Sequence, residues 1–318
     1  MEEIGVEPSS VALLVTYCVL ILVASLAGGW VPLLLRLTHR SMELLVSFVS
    51  GVMLGVAILH LLPDALQQRA SWLQGQGGGI DPHELGGVLM PVVWWLLAGF
   101  LAMFFIERFF CFHHHDVPDA NAEPTSDCGH HDHKHKLTWT GAAVGLTVHS
   151  LVAGAALAAS MQVAEGASLG RAAGLGTFLA IFLHKPFDSM TLGALMAVGR
   201  RRTLARHLVN GGFALVVPLG VVIFVATEGR SASGQGGLVS SALAFSAGTF
   251  LCISLSDLLP ELQFHRHDRL KLSAALLLGL VVAWGAKSIE ALGGTVDGAV
   301  ATPRSTVPPA PDMLAGDD

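Results

Sequence analysis

His149, His184, Lys185 and Asp188 lie in stretches otherwise apolar enough to cross a bilayer. Residues Gly174 to Met196 read GLGTFLAIFLHKPFDSMTLGALM, and His149 sits in LTVHSLVAGAAL. Ionisable groups at that depth are expensive, so by default they mark a pathway or a site. His184 and Asp188 are four residues apart and share one helix face. Two imidazoles and a carboxylate facing one another inside a bundle form the ligand set of a divalent metal, with one or two positions left for water. A second reading makes Asp188 only the counter-ion of Lys185.

Composition demands the same setting. Of 318 residues, 52% are hydrophobic and only 13% charged, with a mean hydropathy of +0.61. A single soluble core cannot absorb that much apolar surface. The net charge of −6 says little about partners, because most charge lies in loops, and a basic face for nucleic acid is absent from the sequence. The four cysteines show neither a CxxC pair nor a disulfide framework. The N-terminus, MEEIGVEPSS, lacks the basic region of a cleavable signal, so the first apolar segment is expected to remain as a span.

The expected fold is all-α: a polytopic membrane protein of eight transmembrane helices, each near the roughly 20 residues that cross the hydrocarbon core. They fall at 11–35, 44–66, 87–106, 137–163, 172–198, 207–227, 238–259 and 271–292. One transmembrane domain covers residues 1–318, interrupted by a His-rich loop at 111–136 and closed by a Pro- and Gly-rich tail at 293–318, both expected to be disordered. Twelve of the eighteen Lys and Arg lie in the connections after spans 1, 3, 5 and 7. The positive-inside rule makes those connections cytoplasmic, including the His-rich loop, and puts both termini and the tail outside. A plasma or inner membrane is the expected location.

An internal repeat runs through the chain. FVSGVMLGVAILHLLPD (Phe48–Asp64) aligns without gaps on FSAGTFLCISLSDLLPE (Phe245–Glu261) at a constant offset of 197. In the eight-span topology the two copies run in opposite directions, a signature of secondary transporters, which bind substrate near the midplane at the repeat interface. His149 and His184 each lie roughly 18 Å from a span end at 1.5 Å per residue, near that midplane. The repeat covers spans 1–3 and 6–8. It puts His60 and Asp64 at the outer end of span 2, and Asp257 and Glu261 at the inner end of span 7. These four are candidates for the two mouths of one pathway; the alternative is a pair of Pro-terminated helix ends with polar caps.

These residues resemble the ZIP family of zinc and iron permeases. The resemblance rests on GVMLGVAILHLLPDAL in span 2, Glu107 closing span 3, HSLVAG in span 4, HKPFD in span 5 and AGTFLCISLSDLLPEL in span 7. It implies a divalent metal transporter, not an enzyme, carrying zinc or iron as substrate into the cytoplasm. It also implies an elevator-like movement of spans 1, 4, 5 and 6 past spans 2, 3, 7 and 8. His149 and His184 stand at the family's site histidines, Asp188 at the span 5 carboxylate and Ser150, counted with them among the metal residues, at a position commonly Asn. Met53 matches a span 2 thioether ligand of some members, and Lys185 stands where others carry a second-site carboxylate. Lys185 and Glu107 join His60, Asp64, Asp257 and Glu261 as pathway residues. Ala153 stands where the span 4 acid is expected, so the implied site holds a single metal.

The implied partners are divalent metal ions and the lipid bilayer, with a homodimer as a further expectation and no nucleic acid. No separate cofactor is implied. The His-rich loop holds seven of the fifteen histidines and suits loose metal capture or sensing, or serves as a solvated spacer. Two other functions stay open on the residues. One is a degenerate relative that binds metal as a sensor or regulator, supported by Ala153. The other is an intramembrane zinc hydrolase, because His, His and Asp also hold a catalytic zinc with an open water position.

Overall fold

The structure is a computed structural model that describes residues 8–29, 39–75, 85–110, 139–166, 173–198, 201–228, 235–264 and 269–298. The described residues are almost entirely helical, with turns at Gly29, Ala173–Gly174 and Leu215. Span 1 is α1 (Pro8–Gly28). Span 2 is α2 (His39–Val56), a π-helical turn (Ala57–Leu61) and α3 (Leu62–Gly75). Spans 3, 4 and 5 are α4 (Leu85–Phe110), α5 (Trp139–Gly166) and α6 (Leu175–Val198). Span 6 divides into α7 (Thr203–Ala214) and α8 (Val216–Glu228). Spans 7 and 8 are α9 (Gln235–Phe264) and α10 (Arg269–Gly298). Seven of these spans are long and apolar enough to cross a membrane. The remaining one, span 5, has 24 residues and carries His184, Lys185 and Asp188 in its middle.

The helix boundaries follow local chemistry. Span 1 was expected to reach residue 35 but its helix ends at Gly28, followed by a turn at Gly29. Glycine is the usual stop signal, and Asn210 of span 6 donates to the terminal Leu26 carbonyl at 3.3 Å, satisfying a group the helix leaves open. In span 2, Pro63 lacks the N–H that would bond the carbonyl four residues back. The preceding turn widens, and the Leu62 N–H reaches the Ala57 carbonyl. Pro218 breaks span 6 for the same reason, and the Leu215 N–H bonds back to Gly212 at 3.2 Å. The His-rich loop and the tail beyond Gly298 lie outside the described residues.

The repeat is written into the packing. Spans 2 and 8 run side by side in one direction, from Ser47 Oγ on the Leu272 carbonyl (2.8 Å) to Lys287 on Asp64 (2.7 Å). Where they cross, a Cβ at Gly51 would run into the Leu276 carbonyl, and one at Gly279 into that of Phe48. Spans 7 and 3 repeat the arrangement: Gly248 meets Leu96, and Gly99 meets Phe245. The offset is 197 between spans 2 and 7 and 180 between spans 3 and 8, with no residue out of step. Gly220 of span 6 meets the Leu151 carbonyl of span 4 as Gly28 of span 1 meets that of Pro186 in span 5. Spans 4 and 5 are therefore related too, at an offset of 35. Spans 2 and 7 cross antiparallel, with Ser240 Oγ on the Ala65 carbonyl at 2.8 Å and Ile253 lining one cavity with Val49. The copies are thus inverted about a pseudo-two-fold axis.

Two bodies follow from these close crossings. Spans 2, 8, 3 and 7 form one, and spans 1, 5, 4 and 6 the other. Between them lies an apolar seam that includes Val49, Met53, Leu157, Ile181, Leu243 and Phe250, all buried. The outer surface of the bundle is rich in exposed Leu, Val and Trp, including Trp94, Leu204, Val222 and Trp284, as a lipid-facing surface requires.

Candidate metal centre

Spans 4 and 5 bring His149 and His184 face to face. Their Nε2 atoms are 3.3 Å apart, and both rings lie against Phe250 of span 7. His184 Nδ1 donates to the Ala180 carbonyl at 2.7 Å, which leaves its Nε2 lone pair aimed at His149. Asp188, one turn on, has Oδ2 at 3.9 Å from His184 Nε2. Ligand atoms of all three residues lie within 4.8 Å of one another. Asp188 Oδ2 and His149 Nδ1 are buried without a hydrogen-bond partner. Two nitrogens each about 2.0–2.1 Å from a tetrahedral zinc stand roughly 3.4 Å apart, so the imidazole pair already has a zinc-binding separation.

Lys185 is wholly buried beside this group. Its Nζ hydrogen-bonds Ser150 Oγ, lies 3.6 Å from Asp188 Oδ2 and sits 3.7 Å over the Phe213 ring. Ser150 in turn donates to the Leu146 carbonyl at 2.6 Å. The hydroxyl expected among the metal ligands is therefore committed to a carbonyl and an ammonium. Met53 lines a small cavity with His184, Asp188, Phe187, Val46, Val49 and Ile253. Ala153 is buried and belongs to the same core cluster as Met53.

Comparison with known proteins decides what kind of molecule this is. The family model described as ZIP zinc transporter matches residues 11–143 and 140–285. The chain belongs to the ZIP zinc transporter family. It is 26% identical over 284 residues to the zinc transporter ZIP9 of Micropogonias undulatus, covering 80% of this chain and 85% of that one. It is 26% identical over 247 residues to zinc transporter 3 of Arabidopsis thaliana, covering 73% and 70%. A 72-residue stretch is 39% identical to the human zinc transporter SLC39A7, covering 22% and 15%. The chain is thus a multi-pass membrane protein of a metal-ion transport family, not an enzyme, and the hydrolase reading falls away.

Within this ZIP framework the expected pathway residues separate into two ends. At one end His60 contacts Glu290 (Nδ1 to Oε2, 3.2 Å) and the Ala283 carbonyl (Nε2, 2.8 Å). Asp64 pairs with Lys287 at 2.7 Å. At the other, Glu107 accepts from Ser256 at 3.4 Å and contacts Cys252 Sγ at 3.9 Å. The helix containing Asp257 and Glu261 is described but their side chains are not. Sequence reasoning missed Glu290 altogether. The available signal was a carboxylate in the last apolar span, one turn beyond Lys287, the same kind of signal that picked out His184 and Asp188.

Proposed function

We propose that this chain transports a divalent transition-metal ion, zinc foremost, into the cytoplasm, and that His149, His184 and Asp188 hold the ion in transit. The observation that carries this reading is the 3.3 Å approach of the two Nε2 atoms, with His184 already in the tautomer a metal needs. All three ligands belong to the body of spans 1, 4, 5 and 6, whereas Met53 and Phe250 belong to the other. An elevator-like shift would thus carry imidazoles and carboxylate together past a wall supplied by spans 2 and 7, exchanging Met53 for water. An open, three-ligand site suits an ion that must leave again. With Lys185 beside Asp188 the local charge favours one ion over two. In this reading the His-rich loop, Asp257, Glu261 and Glu107 serve the cytoplasmic side, and His60 and Asp64 the outer side.

The test is uptake of a fluorescently reported zinc gradient into proteoliposomes holding the purified full chain, alone and as His184→Ala. Removing a ligand should weaken binding at least roughly a hundredfold and abolish metal-specific uptake. Unchanged zinc binding in that variant would place the site elsewhere.

A second reading rests on Ala153. The span 4 acid is absent, which is what a metal-binding sensor that moves little would show. Zinc binding without uptake by the unaltered chain would favour it.

A further inference from the structure

Both ring nitrogens of His60 are engaged. Nε2 faces the Ala283 carbonyl at 2.8 Å, and a carbonyl oxygen only accepts, so Nε2 carries a proton. Nδ1 faces Glu290 Oε2 at 3.2 Å. With Nε2 protonated, this contact needs one more proton, on Nδ1 or on the carboxyl; otherwise two lone pairs would face each other. The pair therefore holds one proton beyond a neutral imidazole and a carboxylate. The other oxygen of Glu290 takes the N–H of Gly176 at 3.0 Å. That N–H belongs to the first turn of span 5, where the helix supplies no acceptor of its own. Gly176 also lies so close to the His60 ring that any Cβ there would collide with it.

The contact joins the two bodies. His60 and Glu290 belong to spans 2 and 8, and Gly176 to the span that carries His184 and Asp188. Gly176, Ala180 and His184 follow one another at helical spacing on one face, so the contact sits about 12 Å along the span from the ligands. We propose that His60 and Glu290 form a proton-operated latch, fastening the first turn of span 5 to spans 2 and 8 and closing the metal centre from that end. Loss of the proton to water leaves a carboxylate against a lone pair. Glu290 then turns towards Lys287, already 3.8 Å away, and the Gly176 N–H loses its acceptor. The charged and titratable groups facing the pair are Lys287 on span 8, Asp64 on span 2 and Tyr17 on span 1. Span 5 up to Leu183 and span 7 up to Ser256 offer it no Asp, Glu, Lys, Arg or His.

The proposal rests on the two bodies moving as the transport reading requires, and its test therefore reads motion without reading uptake. Ala180 is fully buried on the shared face. In an otherwise cysteine-free full chain reconstituted in vesicles, Ala180→Cys is exposed to a small membrane-impermeant thiol reagent at about pH 6 and about pH 8. Three backgrounds are compared at each pH, so ionisation of the thiol itself cancels: Glu290, Glu290→Gln and Glu290→Ala. Glutamine keeps an oxygen for Gly176 and an N–H for His60 Nδ1, so it mimics the closed latch without a proton. The expected result is that the Glu290 background labels at least roughly tenfold faster than Glu290→Gln at the higher pH and equally slowly at the lower, with Glu290→Ala fast at both. Equal labelling of the Glu290 and Gln backgrounds at both pH values, or slow labelling of Glu290→Ala, overturns the latch. If the alanine variant does not fold, the comparison of Glu290 with Gln decides alone.

Discussion

Ala153 and Asp188 occupy equivalent positions about the pseudo-two-fold axis, at the same offset of 35 that relates His149 to His184. The two imidazoles form a symmetric pair, and a carboxylate stands on one side only. A glutamate at 153 would lie one turn after His149 on its face and point at the same centre. Ala153→Glu is expected to lower the apparent KM for zinc uptake by at least roughly tenfold, about 1.4 kcal/mol, with the maximal rate unchanged or reduced because release slows. Zinc uptake against concentration checks this, and an unchanged KM would mean that position 153 does not face the ion.

Lys185 is the symmetry mate of Ser150, and the two hydrogen-bond each other across the axis. Lys185→Met removes a buried ammonium 3.6 Å from Asp188. Without metal, the unpaired carboxylate should cost stability, about 3 kcal/mol for a broken buried pair. With metal, the same carboxylate is fully available, so zinc should raise the melting temperature more than in the unaltered chain. Thermal unfolding in detergent with and without zinc measures both. A variant as stable as the parent without metal would show that the Lys185–Asp188 contact contributes nothing.

Gly248 crosses Leu96 backbone to backbone, whereas a Cβ at Gly193 would meet open space. Gly248→Ala should destabilise the chain by about 1–3 kcal/mol, because the atom it meets is a carbonyl that cannot step aside. Gly193→Ala, within the span 5 helix, should be neutral or stabilising by up to about 1 kcal/mol. The contrast in unfolding temperature between the two variants is the observable, and equal behaviour would argue against the crossing.

Cys128 lies in the His-rich loop, and the positive-inside rule applied to the twelve basic residues on that side predicts a cytoplasmic loop. In a chain with Cys128 as its sole cysteine, an impermeant thiol reagent added outside intact cells should leave it unmodified. Permeabilised cells should label it fully. Labelling from outside would reverse the proposed direction of transport.

The spans and the central His149, His184 and Asp188 group were legible because each is a local contradiction: a long apolar helix with His and Asp inside it. The inverted repeat showed as shared letters between spans 2 and 7, but the letters could not show that glycines at 51 and 99 answer glycines at 248 and 279. Those are contacts between helices far apart in the chain. The partners of His60 and Asp64 were hidden for the same reason. Glu290 and Lys287 lie more than two hundred residues away, and no periodicity links them. The partners of Ser150, Lys185 and the Leu146 carbonyl, were not legible either, because the one that matters most lies on another span.

The π-helical turn at Ala57–Leu61 has no counterpart in span 7, which is α-helical from Gln235 to Phe264. One residue more in that turn rotates everything beyond it by roughly 100° relative to an uninterrupted helix. Asp64 matches Glu261 in the alphabet of the sequence, but the extra residue puts it on a different face of its helix from the one an unbroken repeat would give it. A molecule with perfect internal symmetry would open to either side of its membrane at equal free energy, a balanced seesaw with no resting position. The wound turn breaks that degeneracy within the backbone itself, so in the transport reading the empty protein is expected to wait more on one side than on the other.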